Sequence, residues 1–342
     1  MSGTRLRLGI VGCGAVVEHY HLPAIVHHAR VSLEALVDTS PERLYALAAT
    51  TGVRATTDYR QLEGLVDAAI VAVPNDLHAT IAIDLVRAGV HVLVEKPLAP
   101  TVVECDAMIQ AAADSGALLA VGHDFRFAPA IRLVKGLLET DSLGEIRGFD
   151  LRHGTESRWP LATGYLFDRG RAGGGVLLDQ GAHLLDHLLW WLGPCSVETY
   201  RDDAQGGVEG DADILLRTES GAHGIVELSR TRTLRNTCRI DGERGSVDVG
   251  LFEPLARVAL RLGGEGPALE GLVGDEKFAR RPYRALFELQ LDDFAEAIAS
   301  GREPSVPGRE GRRSVALIEQ CYAARQPLEH PWDYPRAYEV VR

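Results

Sequence analysis

Between Arg5 and Val121 the chain alternates apolar β-like runs with helix-like stretches, and this alternation limits the fold more than any other feature. Strands joined by helix-length segments pair in parallel through βαβ units, because a tight hairpin can join only antiparallel neighbours. Arg5–Val11, Val31–Val37, Ala68–Val73, Val90–Val94 and Ala117–Val121 read as the strands. Residues 15–30 read as a helix that Pro23 should break or kink. Pro41 opens a second helix after Ser40, and Gly52 closes it. Pro74-Asn75-Asp76 forms a turn and cap before a helix running to Gly89, and another helix spans about 101–115.

Beyond this region the pattern changes. A helix at 128–139 precedes a long strand, Glu145–His153, and an Arg-rich polar loop at 154–172. An apolar helix runs from Gly175 to Leu192, and 196–262 reads as successive strands with turns at Gly206-Gly207, Ser220-Gly221 and Asp241-Gly242. That predicts a mainly antiparallel sheet. Gly263–Glu276 reads as a mobile loop, and helices at 283–300 and 309–325 close the pattern. A length of 342 residues exceeds one ordinary core, so two domains are expected, 1–125 and 126–342, with the last helices packing back on the first.

Composition excludes several function classes. Hydrophobic content of 46% with 25% charged residues is that of a soluble globular protein. A net charge of −12 argues against binding nucleic acid or an anionic membrane surface. The five cysteines are odd in number, widely spaced and lack a C-x-x-C pair, which fits free thiols in a reducing cytosol. Arg5 and Arg7 before Leu8–Val17 imitate a secretory signal, but three glycines interrupt the run and Glu18-His19 follows without a cleavage pattern. No apolar stretch approaches the ~18 residues needed to span a bilayer, and a cytoplasmic protein is expected.

Three groups of residues carry chemistry. Gly9-Ile10-Val11-Gly12-Cys13-Gly14 joins the first strand to the first helix, where Gly12, Gly14, Ala15 and Val16 would cradle a dinucleotide pyrophosphate. Val17 replaces the third glycine of the fingerprint. Asp38 ends the second strand, where a carboxylate binds ribose hydroxyls and favours NAD, although Arg43 five residues on leaves NADP open. The second group is Gly173-Gly174-Gly175 followed by Asp179, His183, Asp186 and His187 on an otherwise apolar helix. Four polar residues there point to a cavity lining, and the triple glycine would let another molecule approach the backbone. The stripe fits a carboxylate-steered acid/base histidine, or metal binding through His183-x-x-Asp186-His187. Asp is shorter than the Glu of that metal motif, and a metal hydrolase would leave the first half unexplained.

The third group is Lys96, in Glu95-Lys96-Pro97 at a strand end. Only Lys96, Lys135 and Lys277 are lysines, against 33 arginines. A chain this rich in arginine is expected to use Arg wherever positive charge is enough, so Lys96 is either a chance lysine at a strand end or one kept because its ammonium can lose a proton. In an open α/β sheet, ligands bind beyond the carboxyl ends of the strands, which gathers Lys96, Asp38, Pro74 and the glycine turn on one edge.

These motifs, with Val73-Pro74-Asn75-Asp76-Leu77-His78 and Asp179-x-Gly181-x-His183-x-x-Asp186, resemble the Gfo/Idh/MocA oxidoreductases in order and spacing from residue 5 to about 325. The resemblance implies an α/β protein: an N-terminal Rossmann dinucleotide-binding domain plus a C-terminal α/β domain with an open, mostly antiparallel sheet that forms a homodimer or homotetramer. It implies Lys96, Asp179 and His183 as the catalytic trio, NAD as cofactor, and Asn75 and His78 near the nicotinamide ribose. Asp179 would orient His183 or bind a neighbouring hydroxyl. The substrate would be a small polyhydroxylated sugar, cyclitol or nucleotide sugar, bordered by His123, Asp124, Arg152, Arg158 and Tyr165. Convergence of those arginines with Arg169, Arg230, Arg232 and Arg235 would point to a phosphate on the substrate, whereas Arg126 reads as structural. A redox-neutral epimerase, dehydratase or glycosidase of the same family, and a non-catalytic NAD-bound sensor, are the other readings.

Overall fold

The computed structural model describes residues 5–156, 164–263 and 267–328. Six strands, β1 (Leu6–Val11), β2 (Val31–Val37), β3 (Arg54–Thr56), β4 (Ala68–Val71), β5 (His91–Glu95) and β6 (Leu119–Gly122), pair in parallel in the order β3-β2-β1-β4-β5-β6. The apolar runs form this sheet because helices cover both of its faces, so β4 is buried at all four positions. The order reverses beside β1, which opens the crevice typical of a dinucleotide fold at its carboxyl edge. β3 has no apolar run to announce it: it is three residues long and lies on the sheet edge.

The first helical segment begins at residue 15, as its pattern suggests, but ends at 25 instead of 30. Val17–His21 winds as a wider turn, with the Leu22 amide donating to the Val17 carbonyl, and Pro23 enters the following turn at its start. The wide turn absorbs the position where proline has no N–H to give.

Nine strands make the second sheet: β7 (Ile146–Gly154), β8 (Cys195–Asp202), β9 (Asp211–Thr218), β10 (His223–Ser229), β11 (Thr237–Gly242), β12 (Gly245–Gly250), β13 (Ala256–Leu262), β14 (Leu269–Val273) and β15 (Arg325–Pro327). Their order is β14-β13-β12-β11-β7-β10-β9-β8-β15, antiparallel except for β7/β10 and β8/β15. Two expectations are corrected here. The reversal expected at Asp241-Gly242 falls at Glu243-Arg244, because β11 runs through Gly242 with an irregularity after Asp241. The stretch read as a mobile loop contains β14, paired with β13 from Ala256↔Val273 to Leu260↔Leu269. β14 is exposed along almost its whole length, so it lacks the alternation that marks a half-buried strand.

The 176–192 helix (Val176–Leu192) lies on this sheet, with helices Pro129–Glu139 and Gly308–Ala323 against its other sides. It is apolar nearly all round because nearly all of it is buried. The 308–323 helix also packs on helix Val102–Ser115 and β6, and the Val121 amide donates to the Val306 carbonyl at 3.0 Å. Among the described residues no helix is long and apolar enough to cross a membrane.

The start of the 176–192 helix is held by a remote residue. The fully buried Glu209 carboxylate accepts from the Gly175 amide (2.8 Å), the Leu177 amide (3.1 Å) and the Tyr322 hydroxyl (2.8 Å). It does the work of a helix cap from 34 residues away. The glycines before the helix are therefore filled by this chain itself, not left open for another molecule. A Cβ on Gly175 would overlap the Glu209 main chain, and one on Gly174 would overlap the Tyr322 hydroxyl. Gly175→Ala should lower stability by about 1–3 kcal/mol, since a backbone clash cannot be relieved by a side-chain rotation. A thermal melt of the variant matching the wild type would contradict this account of the helix start.

Candidate active site

The turn after β1 is built for close approach. Gly12 has φ +103°, and a Cβ there would overlap the Ala72 carbonyl. A Cβ on Gly14 would meet nothing, so the face of the turn beyond Gly14 is open. Asp38 braces the turn from the end of β2: one carboxylate oxygen accepts from the Cys13 amide (2.7 Å), the other from the Ser40 amide (2.7 Å) and Arg43 (3.0 Å). A cavity of about 980 Å³ starts at Asp38 and Arg43, passes Gly12–Val16 and Pro74-Asn75, and ends at Lys96, Asp179 and His183. Its glycine turn and the carboxylate at the end of β2 fit a nicotinamide dinucleotide.

At the far end, Lys96 Nζ donates to Asp179 Oδ1 (2.6 Å) and to the Asp179 carbonyl (3.1 Å). The other Asp179 oxygen accepts from Arg230 at 2.7 Å. Burial would raise the Asp179 carboxyl, but the Lys96 and Arg230 charges and hydrogen bonds bring it down to about 2. Glu95 holds the base of this arrangement, bonded to the buried His21 ring at 2.7 Å. Burial pushes Glu95 up, but His21 and Lys96 outweigh that effect and keep the carboxyl below its ordinary value. The Lys96–Pro97 peptide is cis.

His183 is 7% exposed and forms the cavity wall with Phe125 and Phe252, whose rings meet it edge-on at 5.6 and 5.4 Å. Burial, then the Lys96 charge and the neighbouring histidines His123, His187 and His153, hold its pKa well below the usual histidine range. Its ring is therefore neutral, the form in which a histidine accepts a proton. Asp179 does not steer it. Among the described residues, the carboxylate oxygen within 4 Å of His183 Nδ1 is that of Asp124, at 3.8 Å. Tyr20, Tyr283 and Phe287 continue the aromatic wall through ring contacts at 5.4 Å.

Gly12, Gly14, Ala15, Val16, Asp38, Pro74, Asn75, His78, Glu95, Lys96, Asp124, Tyr165, Asp179 and His183 all line this one cavity. Two of them also brace the walls: Asn75 donates to the Ala172 carbonyl (2.8 Å), and both His78 nitrogens lie 2.9 Å from main-chain carbonyls of Val73 and Pro97. Other candidates do not reach it. His123 is buried behind His183, with Nε2 3.7 Å from Asp186. Arg152 alternates away from the buried Leu151 and His153 and pairs with Asp150 (3.0 Å) and Glu227 (3.4 Å) on the opposite sheet face. Arg158 lies outside the described residues. Arg169 sits over the Tyr322 ring, Arg232 pairs with Asp211 and Glu227, and Arg235 pairs with Asp150. Arg126 takes both Asp186 oxygens (2.6 and 2.7 Å), which commits that carboxylate to an internal ion pair and leaves none for the His-x-x-Asp-His metal reading.

Sequence reasoning did not single out Arg230 as a site residue or see the aromatic wall. The sequence groups Arg230 with Arg232 and Arg235 but does not show which of them faces the cavity, and the aromatic residues come from separate parts of the chain.

Residues 6–123 match the model of an oxidoreductase family with an NAD-binding Rossmann fold, and residues 131–248 match the GFO/IDH/MocA C-terminal domain. The levoglucosan dehydrogenase of Pseudarthrobacter phenanthrenivorans is 30% identical over 363 aligned positions, covering 88% of this chain and 89% of that protein. The 1,5-anhydro-D-fructose reductase of Ensifer adhaerens is 28% identical, covering 91% and 93%. Among solved structures, the aldose-aldose oxidoreductase from Caulobacter crescentus complexed with glycerol superposes with a TM-score of 0.84 at 28% identity, covering 94% of this chain and 97% of that one. With the cofactor turn, the lysine at the β5 end and the second-sheet helix all present, this chain belongs to the Gfo/Idh/MocA family of NAD-binding oxidoreductases.

Proposed function

We propose that this protein moves a hydride between NAD and a secondary alcohol of a neutral sugar or cyclitol. The observation that carries the reading is the gathering of Lys96, Asp179 and His183 at one end of a cavity whose other end is the Gly12–Asp38 turn. When bound, the nicotinamide supplies the two-electron acceptor. His183, neutral and facing the cavity, accepts the alcohol proton as the carbon gives up its hydrogen with the bonding pair. Lys96 donates a hydrogen bond to the same oxygen and offsets the alkoxide charge that develops there. Asp179 fixes the ammonium with one oxygen while Arg230 holds the other.

Substrate charge follows from where the arginines point. A nucleotide diphosphate needs unpaired cations near the reacting end. Among the described residues, Arg230 and Lys96 are there, both on Asp179; Arg171, which also lines the cavity, pairs with Asp76 at 3.4 Å, and Arg152, Arg169, Arg232 and Arg235 are engaged elsewhere. The aromatic wall suits the apolar C–H face of a ring polyol. The likeness to an aldose-aldose oxidoreductase supports a second reading, in which the dinucleotide stays bound while two sugars react in turn. The proposal also includes a cytoplasmic homo-oligomer joined through the second sheet. The exposed Leu269 and Leu272 on its β14 edge and five cysteines without disulfides support it.

Lys96→Met should lower kcat by about 10²–10⁴-fold while NADH binding, read by fluorescence, persists. Undiminished turnover at 340 nm in a panel of cyclitols, free sugars and nucleotide sugars would defeat the assignment. Free sugars or cyclitols should outrank nucleotide sugars in kcat/KM, and product formed without net NADH would select the second reading. Asp38→Ser should shift the NAD/NADP preference toward NADP by roughly tenfold or more, since one like-charge contact of ~1–4 kcal/mol is removed. An unchanged cofactor ratio would remove Asp38 from cofactor choice.

A further inference from the structure

Asp124 opens the short turn Asp124–Phe127 directly after β6 and is 6% exposed. It lines the cavity beside His183, and among the described residues no lysine or arginine pairs with it. The His183 nitrogen that faces it, Nδ1, is buried and has no hydrogen-bond partner among the described residues. The separation of 3.8 Å is one small displacement beyond a hydrogen bond, and such contacts tighten when a substrate closes the site. Asp179, the carboxylate that helix spacing places nearest His183, is instead held by Lys96 and Arg230 at 2.6 and 2.7 Å.

Resting on the acid–base reading of His183 above, we propose that Asp124 is the positioning partner of His183 and the final holder of the substrate proton. In alcohol oxidation, His183 starts with Nδ1–H toward the Asp124 carboxylate and the Nε2 lone pair toward the substrate. The alcohol proton goes to Nε2, the Nδ1 proton goes to Asp124, and the carbon's hydrogen leaves with its electron pair to the oxidised nicotinamide. The pair finishes as neutral histidine with Nε2–H and a carboxylic acid. Ketone reduction runs the same steps backwards.

The surroundings favour this route over a lasting imidazolium. Burial, Lys96 from the β5 end, His123, His187 and His153 all oppose a positive charge on His183. Asp124 faces Glu95 and Lys96 from the β5 end, His123 beside it, His183, and Tyr20 and Tyr283 from two further helices. Burial first and Glu95 second push its carboxyl up to about 8, against the pull of Lys96. A carboxyl raised this far is a proton acceptor matched to neutral pH, whereas an ordinary Asp is not. Oxidation needs the ionised form and should rise through pH 8, while reduction needs the acid form and should fall over the same range.

The test compares pH profiles of kcat in both directions for wild type, Asp124→Asn, His183→Ala and the double variant, with NADH binding followed by fluorescence. Asp124→Asn should bind NADH and keep KM, lose about 10²-fold in kcat, and lack the limb near pH 8. The double variant should be no slower than His183→Ala alone, because residues acting as a unit are not additive. Should Asp124→Asn fail to bind NADH, Asp124→Ser serves the same comparison. A limb near pH 8 that survives removal of the carboxylate, or multiplicative losses in the double variant, would overturn the proposal. Full turnover in His183→Ala would instead overturn the acid–base reading itself. An inactive His183→Ala beside an unaffected Asp124→Asn would overturn only the role of Asp124.

Discussion

Asp179 joins three parts of the molecule through one carboxylate. It accepts from Lys96 at the end of β5 and from Arg230 at the end of β10, and it rides on the 176–192 helix between them. The first strand belongs to the parallel sheet and the second to the mainly antiparallel one, so this clamp sets how the two sheets meet at the cavity. A carboxylate with two cations on opposite oxygens stays ionised even when partly buried, which is why Asp179 sits near 2 despite its surroundings. Losing Asp179 would leave the Lys96 and Arg230 cations there without their shared counter-ion, a more costly outcome than losing one cation, which leaves a balanced pair.

A second buried network performs the same work two turns further along the helix, at Asp186. Arg126 bonds both oxygens of Asp186 and also reaches Glu310 at 2.9 Å, tying the turn after β6 to the 176–192 and 308–323 helices. Bidentate pairing of this kind fixes orientation as well as charge. The turn that carries Asp124 and Phe125 is therefore anchored from behind, and Glu209 anchors the start of the helix that carries His183. The end of the cavity lined by Lys96, Asp124 and His183 rests on elements tied together by buried polar groups.

The fold was legible because burial on both sheet faces leaves long apolar runs, and because Gly12, Gly52 and Pro41 sit where backbone geometry demands them. Lys96, Asp179 and His183 were legible from rarity, strand-end placement and helical spacing, with the family resemblance naming their roles. What escaped depends on tertiary contact. Helical spacing pairs Asp179 with His183, yet the carboxylate facing His183 comes from a different strand end, 59 residues earlier in the chain (Asp124). The triple glycine signals close approach but not by what, and the approaching groups are Glu209 and Tyr322. Arg152 and Arg230 look alike in sequence. The pleat of β7 turns one away from the cavity, while the end of β10 turns the other into it.

The most direct measurement is a crystal structure of the protein with NADH and a bound cyclitol or free sugar. The account predicts the reacting hydroxyl within ~2.6–3.2 Å of both Lys96 Nζ and His183 Nε2, with its carbon facing the nicotinamide. A substrate whose hydroxyl at the nicotinamide touches neither side chain would contradict it.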